Sequence, residues 1–251
     1  MVNNVSFPPE RHIRLGFDWS KNIAMSDRTD RFVPIPDARP NDTPWCAMTW
    51  PPQTTHLAGE IVDLDACVPD RDAEPLFRAL NDDAVWRHLR GRPETPTECR
   101  QTLAQWQADG RFVWVLRLRR TYAGLPAGTV IGTSSYLEVA PADARVEIGA
   151  TAYARAVWGS KVNPDAKHQL LSYAFDELGA GRVQFKTDVR NVRSQQAIAR
   201  LGARYEGTLR RSMRRNDGTV RDSVFFSIIA EEWPSIRADL IARITAPEPP
   251  R

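Results

Sequence analysis

The chain has 251 residues, a net charge of +3 and a hydrophobic fraction of 42%, enough for one large domain or for a medium domain with an appendage. No apolar run approaches the roughly 20 residues of a membrane span, and the amino-terminal stretch lacks the apolar core of a signal peptide. The three cysteines and four histidines are scattered, so we predict a cytoplasmic protein with no disulfide framework, no metal and no membrane partner.

Residues 1–48 are predicted to form an irregular extension, because the stretch is rich in proline and shows no sustained hydrophobic period. It carries large aromatic side chains that a solvated tail would not normally expose. Among them are Phe17, Trp19, Phe32 and Trp45. We therefore expect the extension to pack against the folded domain, near an acceptor cleft or a subunit partner. The second alternative would make the protein a homodimer.

Residues 49–246 have a regular pattern and are predicted to form the main domain, followed by a loose end at 247–251. In chain order the stretches are a strand (GEIVDLDAC), two helices (DRDAEPLFRALND, TPTECRQTLAQWQADG), three strands (RFVWVLRLRR, TVIGTSSYLEV, ARVEIGATAY), a helix that ends at Gly179, a strand (RVQFKTDVR), a helix (NVRSQQAIARLG), two strands joined by NDG, and a last helix. This order predicts an α/β (α+β) fold, with a mixed, mostly antiparallel central sheet and helices on both faces.

The stretch WGSKVNPDAKHQLL, residues 158–171, is predicted to be a loop that runs into a helix. Asn163 is a good N-cap, Pro164 suits the first helical position, and Asp165 adds negative charge to the first turn. Unpartnered N–H groups at a helix start bind anions such as phosphate. The loop has one glycine where phosphate cradles usually have more, so either an unusual phosphate site or a simple helix cap is consistent with it.

Four motifs carry a resemblance to a known family. They are EIG, the loop, KTD.RN..S...I..LG and DGTVRDS, in that order. Over residues 50–244 the chain resembles the GNAT acetyltransferase superfamily, and is most similar to the branch that contains the ribosomal-protein N-terminal acetyltransferases. The resemblance implies the GNAT-like acyl-CoA transferase fold, with acetyl-CoA as the acyl donor and its pyrophosphate on the loop.

The resemblance places the cofactor site on the loop and on the start of the next helix. Its predicted residues are Trp158, Gly159, Ser160, Lys161, Val162, Asn163, Asn191 and Arg193. The loop departs from the family pattern at three positions. Lys161 stands where the family usually has glycine, Asn163 where it has glycine or alanine, and Trp158 where it has glutamine or arginine. The Lys161 ammonium could add a point charge beside a phosphate, or it could be a solvated side chain in an impaired loop.

Acetyl transfer to an amine needs a group that removes a proton, a donor for the oxyanion and an acid near the leaving thiolate. Glu147, beside Gly149, is the predicted general base; the alternative is a structural carboxylate paired with an arginine such as Arg145. The resemblance places Ser194 near the CoA sulfur, although a serine bonded to its own helix is the alternative. Asn191 is expected both to cap the helix and to bond the pantetheine arm.

The acceptor side is less specific in sequence. Tyr136 and Glu138 could line an acceptor pocket, although a packed tyrosine and a surface glutamate are the simpler interpretation. The last hairpin carries a cluster of arginines, which suits phosphates and carboxylates but is also typical of a solvated edge strand protected by charge. These arginines are Arg204, Arg210, Arg211, Arg214, Arg215 and Arg221.

The sequence therefore predicts an acetyl-CoA-dependent N-acetyltransferase that acts by direct attack of the amine in a ternary complex. The acceptor is a primary amine, on either a protein N-terminus or a small molecule. The alternative is a non-catalytic acyl-CoA-binding or regulatory protein on the same fold. A nucleic-acid partner is not expected, because the arginine hairpin lacks interleaved aromatic residues.

Overall fold

The computed structural model describes residues 45–247 and the isolated positions 33 and 36. The chain divides into two units, residues 1–43 and 44–251, and the structure below is that of residues 45–247 in the second unit. Most of the predicted extension, with Phe17, Trp19 and Phe32, lies outside the described residues, as do residues 248–251 of the predicted loose end.

Eight strands of the described part form one sheet in the order β1-β2-β3-β4-β5-β6-β8-β7. They are β1 His56–Ala58, β2 Val62–Ala66, β3 Phe112–Leu118, β4 Val130–Ala140, β5 Arg145–Tyr153, β6 Arg182–Asp188, β7 Arg204–Arg214 and β8 Val220–Ile229. All neighbours are antiparallel except β5 and β6. The predicted mixed, mostly antiparallel sheet is confirmed, while the three-residue strand β1 is too short to have been found by periodicity.

Six α-helices complete the described part. They are α1 Pro69–Leu80, α2 Asp83–Trp86, α3 Pro96–Ala108, α4 Val162–Ser172, α5 Val192–Ala199 and α6 Trp233–Thr245. The four-residue helix α2 was not predicted, and α4 continues as a π-helical turn over Tyr173–Glu177 before the predicted stop at Gly179. No helix among these residues is long and apolar enough to cross a membrane.

Strand β3 shows why helices cover both faces of the sheet. Val113 and Val115 are buried on one face, and Trp114 and Leu116 are buried on the other, as expected for alternating residues of a strand. Buried leucines of α1 and α3 join the first cluster, and those of α4 and α6 join the second. The two layers hold the sheet rigid on both sides of the site described below.

The described chain is attached to the domain from Trp45 onward. The Trp45 side chain is 49% exposed, and its ring lies so close to Gly181 that a Cβ there would meet it at 2.4 Å. Met48 is buried, and its N–H donates to the carbonyl oxygen of Pro141 at 3.0 Å. These contacts lie just upstream of residue 49, at which the main domain is predicted to begin.

Strands β5 and β6 pair over a short distance and then part. Their parallel register joins Arg145 to Arg182, Val146 to Val183 and Glu147 to Gln184, the last of the described pairs. Beyond that pair β5 stays with β4, and β6 stays with β8. Glu147 therefore lies at the apex of an opening between two strands of the sheet.

Candidate active site

The Glu147 carboxylate is held by two side chains of β6. It is 3% exposed, it accepts a hydrogen bond from Nε2 of Gln184 at 2.9 Å, and it lies 3.2 Å from Nζ of Lys186. The arginine considered from sequence does not pair with it, because Arg145 faces Asp143 at 3.5 Å. The carboxylate is thus fixed by a lysine and an amide, neither of which was recognised as its partner in the sequence.

A cavity of about 600 Å³ opens beside Glu147, which is a size typical of small-molecule sites. Its apolar wall comes from α1, α2 and α3, and its polar wall comes from β4, β5, β6 and β8. The apolar side chains include Leu76, Phe77, Trp86, Leu103 and Trp106, and the charged ones include Glu138, Glu147, Lys186 and Arg221.

The two residues of β4 that were considered for an acceptor pocket differ in burial. Tyr136 is fully buried in the core, where its hydroxyl donates to the carbonyl oxygen of Leu170 at 2.6 Å. Burial raises the pKa of this phenol well above its ordinary value. Glu138 is exposed and lines the cavity, so of the two candidates only the glutamate lies at the cavity.

The cavity is closed on one side by contacts between the loop after α2 and the β7–β8 hairpin. Nδ2 of Asn216 donates to the carbonyl oxygen of Leu89 at 2.9 Å, and a terminal nitrogen of Arg90 donates to the carbonyl oxygen of Arg214 at 3.3 Å. His88 lies in the same loop, and burial lowers its pKa. This loop was not part of the predicted site, because its residues form no motif with the hairpin in sequence.

The helix that follows the predicted cofactor loop begins two residues earlier than predicted. Lys161 already has helical backbone angles, and Val162 is the first residue of α4. Asn163 is therefore not the N-cap; its Oδ1 accepts a hydrogen bond from the Tyr153 hydroxyl at 3.1 Å. Lys161 stands at the N-cap position without a side-chain cap, and Oγ of Ser160, one residue before it, accepts the N–H of Val162 at 3.3 Å.

Two charged side chains of this region have hydrogen-bond partners on other elements of the protein. Asp165 is 1% exposed and accepts the backbone N–H groups of residues 60, 61 and 62 at 3.2, 2.7 and 2.9 Å. Lys161 donates from Nζ to the carbonyl oxygens of Ile244, at 2.8 Å, and of Ala246. A cation at this end of α6 stabilises the helix, so the half-buried Lys161 side chain has partners within the protein.

The loop before α4 offers backbone N–H groups to a ligand. Among residues 45–247, the N–H groups of Gly159, Ser160 and Asn163 have no hydrogen-bond acceptor. Gly159 has a φ of 71°, which turns the chain into α4 and favours glycine. Val162 is fully buried. Backbone donors at a helix start fit an anionic group such as a diphosphate.

The start of α5 meets this loop. The Arg193 guanidinium stacks over the Trp158 ring at 3.4 Å from the ring centre, so two predicted cofactor residues are in contact. Asn191 caps α5, because its Oδ1 accepts the N–H of Ser194 at 3.1 Å. Within the described residues the Ser194 hydroxyl has no partner, and it does not line the cavity.

Comparison with known sequences identifies the family. Residues 64–204 match the GNAT acetyltransferase domain, which is more than half of the chain. The chain is also 27% identical over 167 residues to the uncharacterized N-acetyltransferase YoaA of Bacillus subtilis (strain 168), a match that covers 64% of this chain and 90% of that protein.

Solved structures agree with this assignment. A structure assigned to the acetyltransferases from T. thermophilus is 37% identical, with a TM-score of 0.68 over 78% of this chain and 100% of that one. The RimJ protein of Mycobacterium smegmatis in complex with CoA-disulfide is 22% identical and shares the fold, with a TM-score of 0.63 over 75% of this chain and 94% of that one. The chain belongs to the GNAT family of acetyltransferases.

Proposed function

We propose that the protein is an N-acetyltransferase that moves the acetyl group of acetyl-CoA to a primary amine by direct attack in a ternary complex. The family uses acetyl-CoA as its acyl donor. The observation that carries the proposal is the position of Glu147, a buried carboxylate at the apex of the parted strands that faces a cavity of small-molecule size.

The loop and the start of α5 form the donor side of this proposal. The free N–H groups of Gly159, Ser160 and Asn163 bind the pyrophosphate, without a contribution from the Lys161 ammonium, which is bound to α6. Asn191 and Arg193 lie at the start of α5, where they bind the pantetheine arm and a phosphate oxygen. The contact between Arg193 and Trp158 supports this grouping, because it brings the two donor elements together.

Glu147 is the general base in this proposal. A primary amine is largely protonated near pH 7, so it must lose a proton before it attacks the thioester. Glu147 accepts that proton directly or through a water molecule, while Gln184 and Lys186 keep the carboxylate in position. Backbone N–H groups of the parted segment of β5, near the bulge at Ala150, supply the oxyanion donors. Ser194, whose hydroxyl has no partner among residues 45–247, is the donor to the leaving thiolate.

The experiment that tests this function is thiol release from acetyl-CoA by the purified full chain with a panel of amines and their hydroxyl analogues, followed by product mass analysis. We expect acetylated amines and no product from the matched alcohols. Acetyl-CoA binding without any transfer would favour the regulatory alternative, and transfer to the alcohols would contradict N-acetylation.

A further inference from the structure

Arg221 on β8 is a cation of the cavity wall, and it forms no ion pair within the described residues. It is half-buried and its Nε donates to Oγ of Ser223 at 3.0 Å. Among residues 45–247 no carboxylate lies within ion-pair distance of it. Arg215 on the same hairpin is different, because it contacts both oxygens of Asp188, at 2.6 and 2.8 Å. Burial lowers the pKa of Arg221, and the more distant charges of Asp188 and Glu147 do not offset this loss of water.

A second cavity, of about 280 Å³, adjoins the first and has Arg90 and Arg221 in its wall, as the first does. It is strongly cationic, with Arg87, Arg90, Arg190, Arg214, Arg215 and Arg221 in its wall. Its carboxylates are Asp188, which is bound by Arg215, and Asp217, which lies 4.0 Å from Arg190. The junction of the two cavities therefore has surplus positive charge at Arg90 and Arg221, where an anion would be bound by charge-assisted hydrogen bonds.

Three chemistries thus line one continuous region. Glu147 is at the apex, the apolar wall of α1 and α3 lies opposite, and the arginines lie at the junction. The contacts of Asn216 and Arg90 across the cavity restrict it to a small molecule rather than an extended polypeptide.

We infer that the acceptor is a small primary amine with an apolar or aromatic body and one anionic group, a carboxylate or a phosphate ester, which Arg221 and Arg90 bind. This inference rests on the proposed function, since it names the acceptor class of the same site. The apolar body packs against Phe77, Leu103 and Trp106, and the amine points toward Glu147.

The test uses amines with a common aromatic body and different charge. Tryptophan is compared with tryptophanamide and tryptamine, and tyramine with its phosphate ester, with kcat/KM measured for each by thiol release. We expect at least one anionic member to exceed its neutral analogues by roughly 10-fold or more. The tryptophan series tests a carboxylate and the tyramine pair tests a phosphate ester, so the two comparisons show which anionic group the site prefers.

Variants then assign the effect to the arginines. Arg221→Gln and, independently, Arg90→Gln should lower kcat/KM for the anionic amine by roughly 10- to 100-fold, with the KM for acetyl-CoA and the rates with neutral amines unchanged. Arg221→Lys should recover part of the loss. Arg210→Gln is the matched control, because Arg210 is exposed on β7 and lines neither cavity.

The outcomes separate this inference from the proposed function. Neutral amines as good as anionic ones, or variants that raise the KM for acetyl-CoA instead, would overturn the inference and leave the acetyltransferase function in place. The second result would assign the arginines to the phosphates of the donor. Acetyl-CoA binding with no transfer to any amine would overturn the proposed function, and the inference with it.

Discussion

The donor loop and the acceptor cavity flank the same parted strands, yet they use different parts of the chain. In the loop region two charged side chains are bound by the protein itself. Lys161 donates to carbonyl oxygens at the end of α6, and Asp165 accepts the backbone N–H groups of residues 60–62. In the cavity, Glu147 and Arg221 face the open volume. Under the proposed function, the loop offers backbone N–H groups to the donor, whereas the cavity offers charged side chains to the acceptor. Substitution of the bound charges of the loop region should therefore mainly lower stability, and substitution of the cavity charges should mainly lower turnover.

The largest effect is expected for Glu147→Gln. The change keeps the size and the hydrogen bond to Gln184 but removes the base, so kcat should fall by about 10²–10⁴-fold while acetyl-CoA affinity stays within a few-fold of wild type. The loss should shrink as the pH rises, because more of the acceptor amine is then deprotonated. Steady-state rates from pH 6 to 9, together with calorimetric acetyl-CoA binding, measure both quantities. A rate within a few-fold of wild type at neutral pH would remove Glu147 from the mechanism.

Asp165→Ala should instead reduce stability. Three backbone N–H groups lose their acceptor, two of them buried, so the free energy of unfolding should fall by about 3 kcal/mol or more. Urea unfolding followed by tryptophan fluorescence gives the value. Asp143→Ala is the control, because Asp143 is exposed and its 3.5 Å contact with Arg145 is worth less than about 1 kcal/mol. Equal losses in the two variants would show that Asp165 is not the structural anchor of α4.

Lys167 on α4 is a further ionisable side chain of the loop region that points into the protein. It is 4% exposed, and its Nζ donates to Oγ of Ser134 at 2.9 Å and to Oγ1 of Thr151 at 2.7 Å. Burial lowers its pKa from 10.5 to about 7. Between these pH values the unfolded chain binds a proton that the folded chain lacks. This lysine therefore makes the free energy of unfolding rise with pH, by at most about 1.4 kcal/mol per pH unit.

Lys167→Met should remove that slope and be the more stable protein at pH 7, with the difference shrinking toward pH 10. The two hydroxyls still bond each other, since they lie 2.7 Å apart. Urea unfolding of both proteins at pH 7, 8 and 9 measures the difference, in which the contributions of other titrating groups cancel. Parallel pH profiles would mean that Lys167 keeps an ordinary pKa in the folded protein.

The smallest effect is expected for Lys161→Ala. Loss of the ammonium at the end of α6 should lower the free energy of unfolding by about 0.5–1 kcal/mol, and Lys161→Glu should lower it further by placing a negative charge there. Acetyl-CoA affinity should change little in Lys161→Ala, because the ammonium contacts Ile244 and Ala246. A more than tenfold loss of acetyl-CoA affinity in the alanine variant, with no change in melting temperature, would show that Lys161 binds the phosphates of acetyl-CoA instead.

Local pattern was sufficient for much of the fold. The apolar run in β8 correctly indicates a central strand, since β8 lies between β6 and β7, and Asn191 caps its helix as its position suggests. β1 and α2 were missed because three or four residues show no period. The N-cap at Asn163 is wrong because the chain turns into α4 two residues earlier, with Lys161 at the N-cap position and Val162 as the first helical residue.

The side-chain partners of the site could not be predicted, because they depend on contacts between distant parts of the chain. Asp165 is bound by residues 60–62, and Glu147 by a lysine on the neighbouring strand. Arg215 and Arg221 lie on one hairpin and look equivalent in sequence, yet only the first meets a carboxylate in the described structure. Their difference follows from the position of Asp188 at the end of β6, which sequence spacing does not reveal.

In the proposed function, backbone N–H groups of the loop bind the pyrophosphate of acetyl-CoA, without the Lys161 ammonium, and Glu147 is the general base of the transfer. The most direct test is calorimetric titration of acetyl-CoA into wild type, Lys161→Ala and Glu147→Gln, with turnover of the same samples measured in parallel. We predict one dissociation constant for all three proteins, within about threefold, and loss of turnover in Glu147→Gln alone; at about 100-fold excess over Kd the donor should add roughly 2.7 kcal/mol of stability. No binding heat and no melting shift at millimolar acetyl-CoA would contradict the claim.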